Sequence, residues 1–324
     1  MLSRFLPEGR RLNTPENRGA CASLEALRSA RDRGVILEGQ ALSCSPEHHL
    51  TVSLGPFTGV IPREEAALGV AEGTVRDIAI LSRVGKPVCF LVEEAEEGPE
   101  GPRVRLSRRR AQILARDALM ARLRPGMVIP CTVTHLEPFG AFVDMGCGLA
   151  SMIGIEHISV SRIPHPACRF TPGQEIFAAV LDTDPAAGRV RLTHRELLGT
   201  WEENARRISP GMTAVGWVRG IKEYGAFVEL FPNLSGLAEP REGLAEGDRV
   251  AVHIKSVLPE RMKIKLSVVD PLPPLPRPEP VRYFVTGGHL DRWQYAPEGC
   301  LRRGAVTEFG GGGLTGAVFS PPRP

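Results

Sequence analysis

The sequence predicts a mainly β chain of small five-stranded barrels in tandem, joined by short α-helices. Three observations carry this expectation. An aromatic-Gly-Ala-Phe-Val motif is written twice, as Phe139–Val143 and Tyr224–Val228, at an offset of 224 − 139 = 85 residues. Around each copy runs the same texture of short alternating strands broken by Gly and Pro turns. Between the copies lie Gly- and Pro-poor segments of helical character.

The elements follow in order. Residues 1–34 read as a helical extension, with a helix over 23–33 capped by Ser23 and stopped by Gly34. Residues 35–108 read as a degenerate repeat, in which EHHLTVSLGPFTGVIPREE from Glu47 aligns without a gap on the stretch from Phe139. A linking helix is expected over 109–124, a full repeat over 125–194, a second linking helix over 195–209 and a further repeat over 210–270. Pro-Gly-Met opens both full repeats, and each closes on a basic alternating strand, GRVRLTHRE or MKIKLSVVD. Residues 271–280, PLPPLPRPEP, read as an extended spacer of ~30 Å. An aromatic extension over 281–309 reads as an ordered segment packed on a barrel, and 310–324 as a disordered tail. Phe139 and Phe142 are three apart, so a regular strand would face them oppositely. A bulge at the intervening glycine is expected to bring both to one face.

Composition narrows the function. The chain has 324 residues, 42% apolar and 24% charged, with a net charge of +3, so any nucleic-acid footprint must be local. Seven scattered cysteines without a CxxC pair fit a reducing compartment. No run of about 18 apolar residues predicts a membrane span. There is no GxxxxGK[ST], HExxH or GxSxG. The GxGxxG inside GGGGLTG at 310–316 lacks a following helix. His48-His49 near Cys44, and His165 with Cys168, are half-sites for a metal at best. No cofactor, metal or enzymatic reaction is therefore expected.

The two full repeats resemble the S-one RNA-binding domain, the OB-fold unit repeated in the bacterial small-subunit ribosomal protein S-one. The pattern is FGAFV at 139–143, GIEHIS at 154–159, Asp184, and RVRLT at 189–193. The resemblance covers roughly residues 35–269 if the degenerate repeat is counted. It implies tandem OB-fold barrels and RNA contacts at Phe139, Phe142, His157, Asp184 and Arg189. In the last repeat it implies Tyr224, Phe227 and Lys263, with Glu239 at the histidine position and Pro259 near the aspartate position. In the degenerate repeat Glu47 and Leu50 stand at the aromatic positions and Pro62 at the histidine position; only Arg103 remains.

These residue types suit a single strand. Exposed rings stack on any base, and Arg or Lys neutralises phosphate. The same two phenylalanines would also serve as core residues, and Asp184 as a turn residue. The run Arg108-Arg109-Arg110 reads either as a phosphate-tracking helix start or as a solvated face. The expected protein is a cytoplasmic, sequence-tolerant binder of single-stranded RNA such as mRNA, without a membrane association. The resemblance adds the small ribosomal subunit as a partner. The competing expectation is a protein-interaction scaffold whose degenerate barrels dock to the ribosome or an RNA-processing partner.

Overall fold

The computed structural model describes residues 4–99, 101–300 and 304–310. The tail expected over 310–324 falls, Gly310 apart, outside the described residues. The chain divides into two compact units. One runs through Leu123 and includes Pro130–Thr132 and Asp144–Ala150; the other holds Arg124–Ile129, Val133–Val143 and the chain from Ser151 onward.

The first unit opens with α1 (Pro15–Ala20) and α2 (Leu24–Asp32). Ser23 caps α2 by accepting the Ala26 N–H at 3.1 Å, and Gly34 takes the left-handed turn beyond it at φ 59°. Strands β1 (Leu37–Cys44), β2 (Leu50–Ser53), β3 (Thr58–Ile61), β4 (Pro87–Gly98) and β5 (Gly101–Ser107) close into a barrel, with α3 (Ile78–Leu81) between β3 and β4. Leu27, Leu37, Val52, Ile61, Phe90 and Leu106 fill its core. Then α4 (Arg108–Arg122) starts from Ser107, whose hydroxyl accepts the Arg110 N–H at 2.9 Å.

The phosphate-tracking reading of this helix start is corrected. Arg108 is buried and forks onto Glu8, at 2.7 Å and 3.0 Å. Arg109 pairs with Glu72 at 2.5 Å and Arg110 with Glu93 at 3.4 Å. The positive charge in this run is spent on neighbouring acids.

The second barrel is built from β6 (Val128–Glu137), β7 (Gly140–Asp144), β8 (Ala150–Gly154), β9 (Glu175–Asp184) and β10 (Arg189–Thr193). The third uses β11 (Thr213–Lys222), β12 (Gly225–Phe231), β13 (Leu234–Ala238), β14 (Arg249–Leu258) and β15 (Lys263–Leu272). All three barrels have one topology, in which the first three strands meander and the fifth inserts between the third and fourth. Each contains a single parallel contact, between its third and fifth strands.

The helix expected over 195–209 is broken. A 3-10 turn spans Arg195–Leu198, and α5 (Trp201–Ala205) is only five residues long. Gly199 separates them at φ 80°, a backbone region where L side chains strain. Around this break the second unit packs its polar core. Asn233 is fully buried; its amide donates to Arg195 O at 2.8 Å and Gly199 O at 2.7 Å, and its Oδ1 accepts the Val160 N–H at 2.9 Å. The aromatic extension folds onto it, with β16 (Arg292–Gln294) paired to β17 (Val306–Glu308). Trp293 and Tyr295 are buried, and Tyr295 Oη donates to Asn233 O at 2.8 Å.

Candidate nucleic-acid interface

The second barrel presents its rings at the turn from β6 to β7. Phe139 sits in that turn rather than in a strand, and Gly140 opens β7. A Cβ at Gly140 would lie 2.5 Å from the Ile153 carbonyl, so close strand packing demands glycine there. The ring of Phe139 is 55% exposed, whereas Phe142 is half-buried. Their centroids are 6.1 Å apart and their planes nearly perpendicular, at 86°. Tyr224 and Phe227 repeat the arrangement in the third barrel, at 6.2 Å and 85°. Tyr224 is 63% and Phe227 38% exposed.

The expected bulge at the glycine is corrected. The rings share a face because the first lies in the turn. In the third barrel the register against β12 shifts between Val218 and Gly220 of β11, not at Gly225.

Register extends the third barrel's rings into a row across three strands, and the second barrel places a basic pair beside its own. In the third barrel Phe227 pairs with Leu237, and Leu237 with Lys265, all three on the outer face. In the second, exposed Met152 on β8 pairs with exposed Arg191 on β10, and β8 is the neighbour of β7 carrying Phe142. Arg191 also reaches Asp182 at 2.9 Å. His135 on β6 adds a third ring, 6.3 Å from Phe142, with Nε2 2.6 Å from Glu137 Oε1.

In the first barrel the row is Thr51, Val60 and Arg105. The gapless alignment that put Leu50 at an aromatic position is therefore corrected by one residue. Leu50 is fully buried, and Thr51 holds the outward place. Arg105 is held by Glu93 at 3.1 Å and Glu64 at 3.3 Å.

The other expected residues form a track rather than one cluster. His157 closes the Ile155–His157 turn, and the Ile155 N–H donates to Phe139 O at 2.9 Å. This brings the histidine turn beside the exposed ring. His157 Nδ1 lies 3.4 Å from Thr193 Oγ1. Burial, and then the Arg195 charge, hold its pKa below the ordinary histidine value, which favours the neutral imidazole.

Asp184 and Arg189 are exposed partners at the other end of the β9–β10 pair. They stand four residues from Thr193 along β10, about 13 Å at strand rise. Asp184 Oδ1 accepts the Ala187 N–H at 3.0 Å, so it serves its own turn. In the third barrel Lys263 is exposed opposite Leu258. Pro259 lies in a short turn ended by Met262 at φ 49°, and Glu239 is paired with Lys255 at 2.6 Å.

Sequence reasoning missed Arg191, Lys265 and His135. The signal for the first two was present, since alternation in RVRLT and KIKLS puts both basic residues of each strand on one face. Among the described residues no group of three or more His, Cys, Asp or Glu could hold a metal, and no helix is long and apolar enough to cross a membrane.

Three closed barrels of this topology, two bearing paired exposed rings, define a tandem OB-fold repeat protein. The description of the S1 RNA binding domain matches residues 122–195. The small ribosomal subunit protein bS1 of Leuconostoc lactis is 34% identical over 235 residues, covering 68% of this chain and 53% of that protein. The bS1 homolog of Bacillus subtilis is 32% identical over 200 residues, covering 57% of this chain and 52% of that protein. The chain spans about half the length of these curated relatives. Among solved structures, a Streptococcus pneumoniae multidomain protein with nucleic acid binding domains covers 72% of this chain at 16% identity, with a TM-score of 0.26. Residues 122–195 thus form an S1-type domain within a chain of tandem OB-fold barrels.

Proposed function

We propose that the protein binds single-stranded RNA, mRNA included, without strong sequence preference, in the cytoplasm and in connection with translation on the small ribosomal subunit. The observation that carries this is the pair of open, mutually perpendicular rings repeated on the second and third barrels, each beside a row ending in Arg191 or Lys265. Bases stack on the rings, and the basic row neutralises phosphates. Neutral His157 offers a hydrogen bond at the same end, and Arg189 continues the track. The likeness to small-subunit ribosomal proteins supports the translational setting. The first barrel carries no ring in its row and has its arginine tied to acids, so it serves as a docking unit in this reading. Binding involves no reaction.

The test is fluorescence anisotropy with a short unstructured RNA, comparing the intact protein with Phe139→Ala/Phe142→Ala at several salt concentrations. The double change is expected to cost about 2–4 kcal/mol in a folded protein. Wild-type log affinity should fall with log salt by about 0.7 per phosphate neutralised. Unchanged affinity in the variant removes the rings from the site. No RNA binding by the intact protein leaves the scaffold reading instead.

A further inference from the structure

The second unit contains a cavity of about 340 Å³ that the barrel-face rings do not use. Its floor is an arginine pair sharing one acid. Arg169 Nη2 meets Glu229 Oε2 at 2.5 Å, and Arg219 Nε meets the same oxygen at 3.0 Å. Arg169 and Glu229 are almost fully buried, and Arg169 Nε is a buried donor with no hydrogen-bond partner. The floor thus holds more positive charge and more donors than its single carboxylate can satisfy.

The walls increase the surplus. Arg207 stacks its guanidinium 3.6 Å from the centroid of the Phe231 ring, and Arg219 lies 5.7 Å from that of Trp217. The segment read from sequence as a spacer closes the cavity instead. β15 continues through Pro271 to Leu272, and Leu275–Arg282 form one wall, adding Arg277 and Arg282. Burial and the like charge of Arg282 both press the Arg207 pKa down. In all, five lining arginines face two glutamates, Glu229 and Glu279, a surplus of three positive charges. Glu279 is itself shared with Arg249 at 3.9 Å.

Like-charged guanidinium groups in excess of their counter-charges favour an anion with several acceptor oxygens. Trp217 and the guanidinium plane on Phe231 suit a flat, aromatic group next to that anion. We propose that the cavity is a second nucleotide site, taking a phosphorylated nucleotide with its phosphate among Arg207, Arg219 and Arg282 and its base against Trp217. The nucleotide is either the phosphorylated end of an RNA strand or a free mononucleotide. The site does not depend on the barrel-face rings.

The experiment uses the full chain and three probes: AMP, a 5′-phosphorylated RNA pentamer, and the same pentamer with a 5′-hydroxyl. Calorimetry compares wild type, Arg207→Gln/Arg282→Gln, and Phe139→Ala/Phe142→Ala, with folding checked by circular dichroism. AMP binding, or at least about a tenfold preference for the phosphorylated pentamer, is expected in wild type and in the ring variant. Both signals should be lost in the arginine variant. A preference without AMP binding assigns the site to an RNA end; AMP binding without a preference assigns it to a free nucleotide. The proposal is overturned if AMP does not bind and both pentamers bind alike, or if the signals survive in the arginine variant. It is also overturned if a hexaglutamate peptide binds and AMP does not displace it. Loss of open-strand binding in the ring variant with AMP binding intact separates this site from the barrel-face reading.

Discussion

Replacing Glu8 by Gln is expected to destabilise the first unit by about 3 kcal/mol, because it strands a buried cation. Arg108 and Glu8 have side chains only 5% and 6% exposed, and two hydrogen bonds of 2.7 Å and 3.0 Å, one to each carboxylate oxygen, join them. Arg108 Nη1 keeps Ala66 O at 3.2 Å, but a carbonyl does not neutralise it. Breaking such a pair costs about 3–5 kcal/mol, and the lower end applies here because Asp144 is close. Burial, and then the Glu8 charge, push the Asp144 carboxyl up to about 7. Without Glu8's charge Asp144 ionises more readily and partly takes over the counter-charge. Arg108→Met alone leaves the Glu8 carboxylate with Arg83, at 3.5 Å, as its remaining cation. Burial would raise that carboxyl, yet Arg108 beside it holds it below the ordinary range. Its stabilisation is therefore present above the unfolded carboxylate value and lost as pH falls through the depressed folded one.

Removing both charges, as Glu8→Gln with Arg108→Met, should cost less than the two single changes together by about 2 kcal/mol or more. The assay is urea unfolding at pH 7 followed by far-ultraviolet circular dichroism, with amide exchange in β4, β5 and α4 to locate the loss. Tryptophan fluorescence is blind to it, since Trp201, Trp217 and Trp293 all belong to the second unit. A cost below about 1 kcal/mol for Glu8→Gln, or additive single and double changes, would refute the buried-pair reasoning.

Three further outcomes are expected. Arg191→Ala should lower the salt slope of RNA affinity by about 0.7 and leave stability within about 0.5 kcal/mol, because its exposed pair with Asp182 contributes little; an unchanged slope removes Arg191 from the track. Gly199→Ala should cost about 1–3 kcal/mol in a fluorescence-detected melt, since φ is 80° and a Cβ would meet the Phe284 ring at 2.7 Å; a neutral change contradicts that geometry. Glu38 accepts three backbone N–H groups on Oε2, yet burial pushes its carboxyl up to about 7. Its contribution is complete below the unfolded value near 4.5 and is lost as pH rises to about 7. Wild type should therefore lose up to about 3 kcal/mol relative to Glu38→Gln across that window, and a flat or rising difference in urea unfolding would contradict the sign.

Much of the architecture was legible in the chain. Strand alternation and turn glycines are local signals, and a repeat doubles them. The FGAFV and YGAFV motifs, the closing RVRLT and KIKLS strands and the Ser23 cap all lie where local pattern puts them. Where reading failed, the missing information was non-local. Leu50 and Thr51 are neighbours in sequence, and only pairing with Ile61 and Val60 decides which faces out. The helix over 195–209 looked continuous but for one glycine, and Gly199 turns there at φ 80°, its carbonyl accepting from Asn233, 34 residues away.

By itself, then, the sequence determined the number of units, their strand texture, and the ring and basic residues available to a single strand, because period and composition act over a few residues. The tertiary structure decided which of them meet. It buried Arg108 on Glu8, aligned Phe227 with Leu237 and Lys265, and folded the proline-rich segment over an arginine-lined cavity. Those outcomes depend on register and on counter-charges brought together from distant parts of the chain, which neither periodicity nor charge count encodes.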